Sequence, residues 1–257
     1  VRSRRQRQMC IRDRHPPSHS RHSRHSRHSR HFVRAQADFI ELATRVMVGE
    51  VVKPAPIHLL EIDYVGIKAP MFSFTRLIGA DPILGVEMAS TGEVATFGDT
   101  RHEAILTSMR AAGFKVPQKA VFLCIGPLMA KLAFLESAKL LLDKGLVVYA
   151  SKGTHEFLQT RGVQTILLHK PSSSDQPNFT TYINDGAIDL VINIRDSNAD
   201  SGSISDGYAI RRSTVDHSIG LLTDLKLANL VIAAFARECK DDGGKVKVKA
   251  WDELPAN

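Results

Sequence analysis

Leu146-Val147-Val148-Tyr149-Ala150-Ser151-Lys152-Gly153-Thr154 is the stretch that decides how this chain folds. Its first five residues are an unbroken apolar run, the pattern of a strand buried on both faces. A hydroxyl, a lysine, a glycine and a second hydroxyl follow, and residues 155–160 read as a short helix. A loop that leads from a buried strand into a helix N-terminus presents main-chain amides. With a lysine and two hydroxyls added, it makes an anion site. Gly153 permits close backbone approach, Lys152 is expected to face solvent, and Thr154 is expected to cap the helix. The loop predicts a small phosphorylated ligand. No catalytic pairing is visible beside it, so regulation is the first function to consider.

The same alternation extends outward. Residues 120–125, 146–150, 163–168, 189–194 and 219–223 read as strands. Helices are expected at 128–143, 155–160, 179–186, 208–217 and 225–238, the first with Leu132, Leu135, Ala138, Leu141 and Leu142 inward. Alternating strands and helices with short connections predict an α/β fold: a Rossmann-like, parallel five-stranded sheet with helices on both faces. Ligands of such sheets bind beyond the carboxyl ends of the strands. Ser151, Thr154, Lys170 and Asn193 all end or follow predicted strands, so they converge on one rim. Ser172, Ser173 and Ser174 after Lys170 are expected to make a mobile polar flap.

Residues 32–48 and 100–112 read as helices, residues 68–88 as an irregular packing segment, and Pro117 as a boundary. The domains expected are a tail at 1–31, a first folded part at 32–118, the α/β part at 119–242 and a polar tail at 243–257, whose Trp251 is placed to cover an edge.

The net charge of +7 is concentrated at one end. Residues 1–31 carry ten Arg and one Asp, a net +9, which leaves −2 for the other 226 residues. The tail's Ser-Arg-His triplets have no apolar period, so it is expected to be disordered. Arg5-Gln6-Arg7-Gln8-Met9-Cys10-Ile11-Arg12-Asp13 resembles a translated sequencing adapter, and an artefact is the favoured reading of the tail. No stretch approaches the roughly 18 apolar residues of a membrane span. The cysteines, Cys10, Cys124 and Cys239, are few and widely spaced, which points to a reducing, cytoplasmic setting and to no metal site. Cys124 reads as a core residue.

Ile67-Lys68-Ala69-Pro70-Met71-Phe72-Ser73-Phe74 and then Asp81-Pro82-Ile83-Leu84-Gly85-Val86-Glu87-Met88-Ala89-Ser90-Thr91-Gly92-Glu93-Val94 resemble the end of the second ATP-grasp unit of carbamoyl-phosphate synthetase large chains. From about Ala120 the chain resembles that family's C-terminal regulatory domain, which has the methylglyoxal-synthase-like fold. The likeness covers about residues 33–240, with the eukaryotic pyrimidine-pathway form nearest. The resemblance implies an enzyme that makes carbamoyl phosphate from bicarbonate, glutamine-derived ammonia and two ATP, using Mg2+ and K+. Its last domain binds an effector: UMP in many bacterial forms, UTP or phosphoribosyl pyrophosphate in animal pyrimidine-pathway forms, and N-acetylglutamate in the urea-cycle form.

The family's phosphate loop, Thr-x-Gly-Thr, corresponds to Ser151-Lys152-Gly153-Thr154. Its effector-contacting lysine corresponds to Lys170, its asparagine to Asn193 and a helix-borne lysine to Lys131. Bacterial members follow that asparagine with two threonines, where this chain has Ile194 and Arg195, so nucleotide contacts differ there. The family's Ile-Arg-Arg corresponds to Ile210-Arg211-Arg212: one arginine is expected to pair with an acid and anchor the helix, the other to face the effector or the catalytic body. Glu93 is expected to hold the ATP-grasp end together. His155 and His169 flank the pocket as hydrogen-bonding residues.

The resemblance places the catalytic acids and the glycine-rich ATP loop upstream of these residues, so the chain is expected to carry no catalytic residue and no cofactor of its own. Two other functions compete. One is an autonomous methylglyoxal-synthase-like lyase acting on dihydroxyacetone phosphate, for which no matching aspartate is found. The other is an RNA-associated protein recruited through the basic tail, which the near-neutral remainder argues against. The expected partners are the effector and the synthetase and glutaminase portions, with no membrane and no nucleic acid.

Overall fold

The computed structural model describes residues 39–53, 64–84, 90–196 and 205–241. The basic tail, residues 243–257 with Trp251, residues 85–89 of the stretch 81–94, Cys10 and the side chain of Cys239 lie outside them. Helix α1, Phe39–Met47, belongs to one unit and the residues from Tyr64 onward to another. In α1, Arg45 pairs with Glu50 at 2.7 Å.

The second unit opens with an antiparallel pair, β1 (Val65–Met71) and β2 (Gly92–Gly98). Lys68 and Glu93 pair across it at 2.6 Å. Helix α2, Arg101–Ala111, follows, with Thr100 accepting a hydrogen bond from the Glu103 amide as its N-cap. Gly98 passes so close to α2 that a Cβ there would lie 2.7 Å from the Ala104 nitrogen. That approach excludes any other residue.

The remainder is the expected parallel sheet. Strand β3 (Ala120–Ile125) leads through α3 (Leu128–Asp143) to β4 (Val147–Ala150), and α4 (Lys152–Gln159) leads to β5 (Ile166–Leu167). Then come α5 (Phe179–Asn184), β6 (Leu190–Ile194), α6 (Asp206–Asp216), β7 (Gly220–Leu222) and α7 (Leu225–Asp241). The strand order is β5-β4-β3-β6-β7, all parallel. The chain builds outward from β3 to one edge, then returns to β3's other side. The carboxyl ends of β3 and β6 thus diverge at the topological switch point.

Strand alternation divides the core in two. Val121, Leu123, Ile125, Val148, Ala150, Leu190 and Ile192 face one cluster, which includes Phe134 and Leu141 of α3 and Val231, Ile232 and Phe235 of α7. Phe122, Cys124, Tyr149 and Val191 face the other, with Phe179 and Ile183 of α5 and Ile210 of α6.

Two readings change. The inward face of α3 is Ala130, Phe134, Ser137, Ala138 and Leu141, whereas Leu132 is 42% exposed. The helix is apolar nearly all round, so periodicity alone does not select the stripe that packs. Residues 163–168 form a paired strand only at Ile166–Leu167, because β5 is an edge with a single neighbour. Val163 and Leu168 are nevertheless fully buried.

Asp189, just before β6, accepts hydrogen bonds from the amides of Gln118 (3.0 Å), Lys119 and Ala120 (3.3 Å), fixing the start of β3. Asp189→Ala is expected to lower unfolding free energy by about 1.5–3 kcal/mol, the usual worth of hydrogen bonds to a charged group, measured by urea denaturation.

Candidate functional site

The register of β3 builds the site. Asn193 of β6 stands opposite Cys124, and Ser151 follows directly after Ala150, which pairs with Leu123. Ser151, Cys124 and Asn193 therefore form one row across three adjacent strand ends. The Cys124 thiol faces the Ser151 and Asn193 side chains and the charges of Lys170 and Asp206. Burial pushes that thiol up from its ordinary value, against weaker opposing effects of Ser151, Lys170 and Asn193, which keeps it protonated and inert at neutral pH.

The stretch after β4 is a helix start, not a loop. Ser151 is the N-cap of α4, with its carbonyl accepting from the amides of Thr154 and His155, both at 2.8 Å. Lys152 and Gly153 are the first two residues of the helix, and their amides have no acceptor one turn back. Thr154 is no cap. Its buried hydroxyl accepts from the Ile125 amide (3.0 Å), donates to the Ile125 carbonyl (3.2 Å) and accepts from Ser151 Oγ (3.3 Å). That fills a hydroxyl's capacity, so Thr154 serves to tie α4 to the end of β3.

Lys131, in the first turn of α3, donates from Nζ to the Gly153 carbonyl at 2.9 Å. An ammonium has three donors, so it keeps donors beside the exposed start of α4. Lys152 is exposed, as expected. Lys170 lies across the row, half exposed, with Nζ 3.8 Å from Asp206. The Ser172 amide donates to Asp206 at 3.1 Å, and Asn178 Nδ2 donates to the carbonyls of Lys170 and Ser173, both at 2.9 Å. The expected mobile flap is thus pinned from both sides. His155 bonds the Thr165 hydroxyl at 2.8 Å, as a hydrogen-bonding residue.

Of the arginine doublet, only Arg211 reaches the row of Ser151, Cys124 and Asn193. Arg212 donates from Nη1 to the carbonyls of Leu77 (3.0 Å) and Ala80 (3.1 Å), from Nη2 to that of Phe74 (3.1 Å), and pairs with Asp216. It holds the segment 74–81 onto α6 and is not placed to bind an effector. Arg211 is bidentate to Asp81, and only its Nη1 reaches Asn193 Oδ1, at 2.9 Å. Sequence reasoning missed Asp81 and Asn178 as partners, and Asp206 as the partner of Lys170 rather than of the arginine doublet. Only the acid directly after Ser205, at a helix start, carried a signal. Among the described residues, no three His, Cys, Asp or Glu gather as a metal cluster.

Residues 133–223 match the MGS-like domain family. The chain carries an MGS-like domain. This domain lies within a longer likeness to carbamoyl-phosphate synthetases. The multifunctional protein URA2 of Saccharomyces cerevisiae is 42% identical over 208 residues, 78% of this chain and 9% of that protein. The multifunctional protein pyrABCN of Emericella nidulans is 41% identical over 208 residues, again 78% of this chain and 9% of that protein. The human mitochondrial carbamoyl-phosphate synthase [ammonia] is 41% identical over 214 residues, 80% of this chain and 14% of that protein. The chain thus spans 9–14% of the length of these relatives. The likeness agrees with a C-terminal portion of a synthetase, MGS-like domain included. No helix among the described residues is long and apolar enough to cross a membrane.

Two outcomes test the MGS-like unit's frame. Thr154→Val is expected to lower stability by about 1–3 kcal/mol in urea denaturation, because the Ile125 amide and carbonyl lose their buried partner. The hydrogen bond from Arg212 holds the Asp216 carboxyl below its ordinary 3.8. A depressed folded value means that this stabilisation is complete above the unfolded value of 3.8 and is lost as pH falls through the lower folded value. Asp216→Asn is therefore expected to flatten the pH dependence of stability in that acid window.

Proposed function

We propose that the MGS-like domain binds a phosphorylated small molecule at the rim formed by Ser151, Lys152, Gly153, Lys131, Lys170 and Asn193. We infer further that this occupancy regulates carbamoyl phosphate synthesis by a longer synthetase, in the cytoplasmic pyrimidine pathway. The observation that carries the reading is the placement of the Lys131 ammonium on the Gly153 carbonyl, against the first turn of α4. Unbonded amides at a helix start and a fixed ammonium favour an anion together. Lys170 stands on the far side of the same row.

In this reading residues 67–94 are the end of an ATP-grasp unit. ATP, Mg2+ and K+ then belong to the synthetase portion, and glutamine to the glutaminase portion. The effector is UMP, UTP or phosphoribosyl pyrophosphate, all of which present a phosphate to the cradle. Ile194 and Arg195, which follow Asn193, set the remaining contacts.

Calorimetric titration of the chain with these three compounds tests the proposal. At least one is expected to bind, and Lys131→Met is expected to weaken it about tenfold or more, the worth of a charge-assisted hydrogen bond. Absence of binding by all three at millimolar concentration would sink the regulatory reading.

A further inference from the structure

Arg211 joins the rim to the segment 74–81, and we infer that it carries the state of the pocket to that segment. This rests on the effector-binding reading above and adds the route by which binding is felt.

The guanidinium has every nitrogen committed. Nε and Nη2 donate to the two oxygens of Asp81, at 2.7 and 2.6 Å. Nη1 donates to Asn193 Oδ1 at 2.9 Å. The Arg211 side chain is 4% exposed, so water cannot replace a partner that moves away. A planar fork of fixed geometry therefore ties the amide at the rim to a carboxylate outside the parallel sheet. A buried charge that loses a partner costs several kcal/mol unless another takes its place. A ligand that draws on the Asn193 side chain turns or polarises that amide, and Arg211 and Asp81 must follow.

The segment that would respond is already held by the same helix. Arg212 grips the carbonyls of Phe74, Leu77 and Ala80, and Tyr208 donates from its hydroxyl to the Gly79 carbonyl at 2.8 Å. At its N-terminus, α6 meets the other side of the rim through Asp206, Lys170 and the Ser172 amide. One helix thus touches the pocket and the segment at once. Arg211 is a positioning residue in this scheme and does not itself contact the ligand.

Hydrogen exchange on the full chain tests the route, with whichever of UMP, UTP and phosphoribosyl pyrophosphate binds as the probe. The amides of Arg76, Leu77 and Ala80 donate to the carbonyls of Ser73, Phe74 and Leu77, at 2.9, 3.1 and 3.1 Å, and serve as reporters. Saturation with the probe is expected to change their exchange by about fivefold or more, the lower end of usual coupling. Asp81→Asn is expected still to bind the probe, with affinity shifted by a similar factor because coupling is reciprocal, and to lose the response at the reporters. Arg211→Lys, provided its circular dichroism shows a folded chain, is expected to lose it too. Binding to the wild-type chain with unchanged reporters overturns this inference alone, as does an undiminished response in Asp81→Asn. Failure of all three compounds to bind the wild-type chain overturns it together with the effector reading on which it rests.

Discussion

Strand β3 stands in the middle of the sheet, and its pairing with β4 on one side and β6 on the other sets everything built around it. In a parallel sheet, residues in register share a face, so a shift of one residue would send every side chain to the other layer. The observed register places Leu123 between Ala150 and Ile192 in one core, and Cys124 beside Ser151 and Asn193 at the strand ends. Two contacts hold it there. The Asp189 carboxylate gathers the amides that enter β3, and the Thr154 hydroxyl closes on both main-chain groups of Ile125 where β3 ends.

Two ammonium groups stand at the rim that results. Lys131 is spent in part on a main-chain carbonyl, and Lys170 faces a carboxylate. An anion entering there meets ammonium groups that are already oriented, beside amides at a helix start that favour negative charge. The acids nearby serve the frame: Asp206 seats the Ser172 amide and Asp189 anchors β3. With the Cys124 thiol held protonated by burial, the geometry suits recognition better than bond-making.

Most of the fold was legible because apolar runs bounded by Gly, Pro and polar clusters are a local signal. The five strands, their alternation with helices and the rim at their carboxyl ends all follow from it. Lys131 meets Gly153, and Ser151 and Asn193 stand at neighbouring strand ends. The role of Thr154 was not legible, because a threonine three residues after a strand looks the same whether it caps a helix or bridges to another strand. The partners of Arg211 and Arg212 were hidden for a related reason: Asp81 lies 130 residues away along the chain.

By itself the sequence determined the class of sheet, the rim at its carboxyl end and the residue types available there, since each depends on short-range periodicity and composition. Only the tertiary structure decided which side chains are spent on the frame and which are left for a ligand. A hydroxyl or a guanidinium has a fixed number of donors, and how they are shared depends on groups that folding alone brings within 3 Å. Thr154 and Arg212 were thereby assigned to the frame, Lys131 and Lys170 were left at the rim, and Arg211 was set between the two.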